Sequence, residues 1–283
     1  MSTLVVHGAT GTQGAPIAGR LVADGHTVLA VARTADPARL PDGVRPVAAD
    51  LLDTAALASA YEGADAVVAA LPLVFDDTAV PQAESVLAAL RKAGVPRAVL
   101  NVGGPLAPAP IGVPYVDARA ILAAQLPDAV ERATVVGPVG PYMENLSAPW
   151  SAPRIAAGEV AYPLPAEAPV PWVALDDLAA VVAEAVAADA PPAFALVVGP
   201  EALTGDRAAA EISAALGREV RWTTVPHTEY EQMLAPHLGA GAAAGIAGFY
   251  APPPPGAPGL PQPDPSQVRP GTTTLREWAL RSL

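Results

Sequence analysis

Thr3-Leu4-Val5-Val6-His7-Gly8-Ala9-Thr10-Gly11-Thr12-Gln13-Gly14 decides the fold. A short β-branched run turns at once into a glycine triplet and then into an amphipathic stretch from Thr12 to Asp24, so the order is strand, tight turn, helix. In that setting Gly8 permits the turn, Gly11 lets the backbone approach a pyrophosphate, and Gly14 lets helix pack closely on strand while the helix amides face the anion. A dinucleotide is therefore expected on residues 8 to 14, with Thr10, Thr12 and Gln13 beside it.

The same rhythm continues outward. Strands are predicted at Thr3 to His7, Thr27 to Ala32, Val44 to Ala48, Ala66 to Ala70, Pro96 to Val102 and Arg132 to Val136. Helices fall between them at Thr12 to Asp24, Thr54 to Tyr61, Asp77 to Ala93 and Tyr115 to Leu126. Strands buried on both faces should be almost wholly apolar, as Ala66-Val67-Val68-Ala69-Ala70 is, and the alternation predicts an α/β fold with a doubly wound parallel sheet. Residues 1–137 form its core. Past Gly137 the elements are shorter and broken by Pro, which predicts a smaller substrate lobe over 138–283. Within it, helices are expected at Asp176 to Ala188, Thr204 to Leu216 and Thr228 to Leu234, with strands at Phe194 to Val198 and Val220 to Val225. Residues 239–265, rich in Ala, Gly and Pro, predict either a polyproline surface connection or a lid. Thr274 and Glu277 stand at capping-box spacing before a last helix.

Cofactor choice is set after the second strand, where an acid would hold the ribose 2′-hydroxyl of NAD and a base the 2′-phosphate of NADP. The strand ends Val31-Ala32-Arg33-Thr34, with no acid and one Arg, which favours NADPH. Asp50-Leu51-Leu52-Asp53 follows the third strand. Asp50 and Leu51 are expected near the adenine, and Asp53 either joins them or caps the next helix. Leu71 and Pro72 after the fourth strand and Gly103 after the fifth are expected along the rest of the cofactor.

Composition excludes several alternatives. The 283 residues hold no Cys, so there is no disulfide frame, thiolate metal site or cysteine nucleophile, and the four His lack the helical pairing of a zinc hydrolase. A net charge of −12 with a single Lys and scattered Arg argues against a nucleic-acid partner. The long uncharged stretches are broken by Pro and Gly, so no membrane span is predicted. No basic leader with a cleavage site precedes the first strand, and a cytoplasmic protein is expected.

GATGTQG at 8–14, Arg33 and Asp50 to Asp53 together resemble the NmrA-like family of atypical short-chain dehydrogenases/reductases. Gly140-Pro141-Tyr142-Met143-Glu144-Asn145-Leu146 is similar to that family's Phe-Met-Glu-Asn signature. Pro171 to Ala179, Gly199 to Thr204 and Arg269 to Thr272 are similar to its later segments. The resemblance spans essentially the whole chain and so implies a single domain. It also implies that Tyr142, Met143, Asn145 and Trp172 lie in segments that roof the nicotinamide and could take a flat apolar substrate, against the plainer alternative of lobe packing.

Many members of the wider superfamily use a Ser, Tyr and Lys set for carbonyl reduction, and two of its three members are missing. The only Lys, Lys92, lies on the helix before the fifth strand, and no Ser or Thr occurs between Ser85 and Thr134. Tyr115 and Arg119 stand at the spacing of Tyr and Lys, which makes Tyr115 a candidate proton donor with Arg119 near the ribose. The plainer alternative makes Tyr115 a packed first residue of a helix. A quinone, or an aromatic ketone with a neighbouring phenol, could instead stabilise its own oxyanion, leaving the protein to position the partners. Actinomycete-like composition adds a resemblance to tailoring ketoreductases of aromatic polyketide (angucycline-type) antibiotic pathways. The expectation is thus an NADPH-dependent reductase of a bulky aromatic ketone or quinone. The alternatives are an NADP-sensing regulator without turnover, like some NmrA-like proteins, and a general quinone reductase.

Overall fold

The computed structural model describes residues 1–34, 36–104, 106–252 and 263–283. In chain order the first elements are β1 (Thr3–His7), α1 (Gly14–Ala23), β2 (Thr27–Ala32), β3 (Val44–Ala48), α2 (Thr54–Tyr61), β4 (Ala66–Ala70), α3 (Ala79–Ala93), β5 (Arg97–Asn101), α4 (Pro114–Gln125) and β6 (Arg132–Pro138). They are followed by α5 (Glu144–Ser147), α6 (Ala152–Ala156), β7 (Glu159–Tyr162), β8 (Val170–Pro171), α7 (Leu175–Ala187) and β9 (Phe194–Val198). The chain continues through β10 (Ala202–Leu203), α8 (Gly205–Leu216), β11 (Arg221–Thr224), α9 (His227–Leu238), α10 (Ala240–Gly248), β12 (Val268–Pro270) and α11 (Leu275–Ser282).

Two compact units emerge: Met1–Pro138 with Leu175–Val197, and Val139–Ala174 with Val198–Leu283. In the first, neighbouring strands run β9-β6-β5-β4-β1-β2-β3, all parallel. Val5 sits opposite Leu29 on one side and Val67 on the other. Leu4, Val5, Val6, Val67, Ala69, Val99 and Leu100 are fully buried, as helices on both faces require. Pro46 is accommodated because β3 is an edge strand with β2 as its only neighbour in this run. The sequence of adjacent strands reverses direction between β1 and β4, and α/β sheets take ligands at the carboxyl ends beside such a reversal.

The boundary expected at residue 137 is crossed by α7 and β9, which return to the first unit. β9 pairs with β6, and buried Arg97 at the start of β5 donates Nη1 to the Ala185 and Val186 carbonyls that end α7. A guanidinium there satisfies orphan carbonyls and opposes the negative end of the helix.

The second unit has its own apolar cluster, which includes Met143, Ile155, Tyr162, Trp172, Tyr230, Leu234 and Trp278. Four of its strands form two short pairs, β7 with β11 in parallel and β8 with β10 antiparallel. The predicted capping box is present: Thr274 Oγ1 accepts from the Glu277 amide, and Glu277 accepts from the Thr274 amide. Of the segment 239–265, Ala240–Gly248 is helix, contrary to the Pro-rich connection expected, because Ala dominates it and Ala243 and Ala247 are buried. Residues 253–262 of the same segment, expected as a polyproline connection or a lid, lie outside the described residues. Helix α9 also runs four residues past Leu234, with Pro236 inside its last turn.

Candidate active site

The glycine turn has the geometry its sequence requires. Gly8 has φ of +65°, and the Gly11 amide donates to the Gly8 carbonyl at 2.8 Å to close the turn. A Cβ on Gly14 would lie 2.2 Å from the Gly8 carbonyl oxygen and 2.9 Å from the Ala9 nitrogen. Only glycine lets α1 begin so close to β1. The helix begins at Gly14, two residues after the predicted start, leaving Thr12 and Gln13 in the turn. Gly8, Gly11 and Thr12 are exposed and Thr10 is half-buried, so the backbone of this turn is open to an anion at the start of α1. These are features of a cradle that fits a dinucleotide pyrophosphate.

Around it, Arg33 is exposed immediately after β2 and has no ion-pair partner among the described residues. Asp50 Oδ1 accepts from the Leu52 amide, shaping the loop after β3, while Asp53 caps α2 by accepting from the Ala55 and Ala56 amides. Leu51 is half-buried. From the turn a side-chain relay crosses to the end of β5. Buried Asn101 donates Nδ2 to Gln13 Oε1 at 3.0 Å, and its Oδ1 accepts from the Gly103 amide at 3.1 Å. Gly103 has φ of +66°, and a Cβ there would stand 2.8 Å from Gln13 Oε1. Sequence reasoning missed Asn101, whose only signal was a polar residue closing the strand after Ala98-Val99-Leu100.

His7, last residue of β1, is 2% exposed. Its Nδ1 lies 3.3 Å from the Ala70 carbonyl, which can only accept, so Nδ1 carries the hydrogen and Nε2 accepts from the Tyr61 hydroxyl at 2.7 Å. Burial pushes His7 down from 6.5 to about 4, and burial pushes Tyr61 up. The folded value is depressed, so the unfolded chain takes up this proton first as the pH falls below 6.5 and stability declines towards pH 4. Over that window the loss from His7 is about 3 kcal/mol. His7→Asn should lower stability at pH 7 yet flatten the decline by one proton; equal slopes in urea unfolding from pH 7 to 4 would exclude the assignment.

Tyr115 and Arg119 meet on the first turns of α4. Arg119 is 4% exposed. Nε donates to the Val102 carbonyl at 2.9 Å, Nη1 to Tyr115 at 3.0 Å, and Nη2 to Leu71 at 2.8 Å and Pro72 at 3.3 Å. The guanidinium therefore serves main-chain carbonyls at the ends of β4 and β5. Burial pushes its pKa down and Tyr115 opposes that shift. Its carbon lies 3.5 Å from the Tyr115 ring centroid, while Phe75 stacks on the same ring at 4.6 Å and 13°. Two flat groups at those distances cannot share one face, so Tyr115 is sandwiched between them. The Tyr115 hydroxyl lies 3.7 Å from where a Cβ on Gly104 would stand. Phe75 carried no signal in the sequence, since an aromatic in a loop has no periodicity. Lys92 is exposed on α3.

In the second unit, Tyr142, Met143 and Trp172 are 7%, 1% and 1% exposed. Met143 and Trp172 belong to its apolar cluster, and Trp172 packs edge-on to Tyr162 at 5.1 Å. Asn145 donates Nδ2 to the Tyr162 hydroxyl at 3.2 Å, and Tyr162 shares a hydrogen bond with Tyr250 at 2.8 Å. Among the described residues no cluster could hold a metal ion, and no helix is long and apolar enough to cross a membrane.

A model of the NmrA-like family matches residues 1–250. A 3-diazoavenalumate denitrifying reductase from a Streptomyces species is 36% identical over 148 residues, 47% of each chain, so the match spans less than half the length of that relative. Among solved structures, a nucleoside-diphosphate-sugar epimerase from Staphylococcus aureus aligns with a TM-score of 0.73 and 20% identity, over 98% of this chain and 99% of that one. An NADPH-dependent quinone oxidoreductase from Escherichia coli aligns with a TM-score of 0.67 and 22% identity, over 98% of both.

Proposed function

This chain belongs to the NmrA-like family, and from that premise we propose that it is an NADPH-dependent reductase of a flat aromatic ketone or quinone. The observation that carries the reading is the phenol of Tyr115, locked between Phe75 and Arg119 beside Gly104 at the carboxyl ends of β4 and β5. That is the edge where an α/β sheet holds the second half of a dinucleotide. Residues 8–14 would cradle the pyrophosphate, Arg33 the 2′-phosphate, and Asp50 with Leu51 the adenine. Leu71, Pro72 and Gly103 would line the remainder. NADPH, when bound, supplies a hydride. The chain's own share is to hold the cofactor, orient the substrate and, through the Tyr115 hydroxyl, protonate the developing alkoxide. The partial similarity to a Streptomyces reductase supports a reductive role, and we place it as a tailoring step on a secondary metabolite.

The test is NADPH oxidation across simple quinones, small ketones and polycyclic aromatic ketones, with NADH alongside. Turnover with polycyclic ketones or quinones is expected. Tight NADPH binding with no turnover on any member would overturn the reductase and favour a dinucleotide sensor, a reading the absent Ser and Lys also support. Arg33→Ala should weaken NADPH roughly tenfold while leaving NADH nearly unchanged, as loss of a charge-assisted phosphate contact predicts. Equal losses for both cofactors would remove Arg33 from the 2′-phosphate.

A further inference from the structure

Arg119 joins three pieces of backbone by hydrogen bonds: the end of β4 at Leu71 and Pro72, the end of β5 at Val102, and the first turn of α4 at Tyr115. Its charge faces carbonyl dipoles and an aromatic ring, and no carboxylate forms an ion pair with it among the described residues. A planar fork with separated donors can span these acceptors, whereas an ammonium presents its donors from one point. The adenine half of a dinucleotide lies over β1 to β3, and the other half lies across the reversal, over β4 and β5. The bonded carbonyls belong to that second half of the site, and none belongs to the glycine turn.

We propose that Arg119 is a positioning residue that fixes the ends of β4 and β5 against α4, so that the nicotinamide half of NADPH meets a preformed wall. The proposal rests on the NADPH reading above and does not require turnover. Two ligands separate it from general stability: NADPH, which reaches both halves of the site, and adenosine 2′,5′-bisphosphate, which occupies only the first. Equilibrium dissociation constants are measured for the wild type, Arg119→Lys and Arg119→Met, with circular dichroism to confirm folding. Arg119→Lys carries the test if the Met variant does not fold.

The expected result is NADPH affinity lower by about tenfold in both variants, with the bisphosphate changed by less than about twofold, since the lost bonds are charge-assisted and confined to one half. Equal weakening of both ligands would reduce Arg119 to a general stabiliser. Wild-type NADPH affinity in Arg119→Lys would show that a cation at this position suffices, and would overturn the clamp. Binding of neither ligand by the wild type would remove the cofactor reading itself. Binding of both without turnover on any substrate would remove the reductase alone.

Discussion

Replacing Gly14 with Ala is expected to abolish measurable NADPH binding while leaving a folded sheet. The added methyl would stand 2.2 Å from the Gly8 carbonyl oxygen and 2.4 Å from its carbon, and neither is a flexible side-chain end that could swing aside. Relief requires α1 to move away from β1 or the turn to be rebuilt, and both displace the amides that would face the pyrophosphate. Overpacking against side chains typically costs about 1 to 3 kcal/mol, and a rigid backbone obstacle belongs at or above the upper end. Converted to affinity, about 3 kcal/mol is more than a hundredfold. The neighbouring glycines supply graded controls. A Cβ on Gly11 would lie 3.3 Å from the same oxygen, so Gly11→Ala should distort less. Gly8→Ala meets nothing within 4 Å but must hold φ at +65°, a cost of about 1 to 2 kcal/mol. Titration of NADPH fluorescence, with thermal melts beside it, orders the three. Binding by Gly14→Ala equal to wild type would sink the dinucleotide turn.

That turn was legible because its chemistry is local: a glycine triplet between a strand and a helix whose periodicities differ. β9 was legible at Phe194–Val198 for the same reason, and so was the Thr274 capping box. What the sequence did not reveal depends on partners distant in the chain. Nothing around Leu175 announces that α7 returns to the first unit, because the partners that receive it, Arg97 among them, 88 residues away from Ala185, are distant in the chain. Arg119 presented a cation at helical spacing from Tyr115, and spacing alone could not say that its donors go to Val102, 17 residues away, and Leu71, 48 away. Asn101 and Gln13 meet for the same topological reason, across the sheet from β5 to the turn after β1. Met143 and Trp172 were ambiguous from the start, since an apolar side chain that packs a core and one that packs a ligand have the same composition.

Tyr115→Phe is expected to lower kcat about a hundredfold with NADPH affinity unchanged, the lower end of what a general acid contributes. The variant isolates the hydroxyl. The ring remains, so the stack on Phe75 and the cation contact with Arg119 persist, and the main-chain carbonyl that Arg119 uses is untouched. A loss of rate therefore reports the proton and not the scaffold. The substrate panel sharpens the argument, because a quinone delocalises its developing charge and needs an acid less than an isolated ketone does. The hydroxyl should thus matter most for simple aromatic ketones and least for quinones or for ketones with an internal phenol. A hundredfold loss confined to ketones would establish Tyr115 as the acid and make substrate assistance the reason quinones escape. Near-normal rates on every substrate would exclude Tyr115 as donor, and the protonation would then fall to water or to the substrate, with the chain acting only by holding its two ligands together.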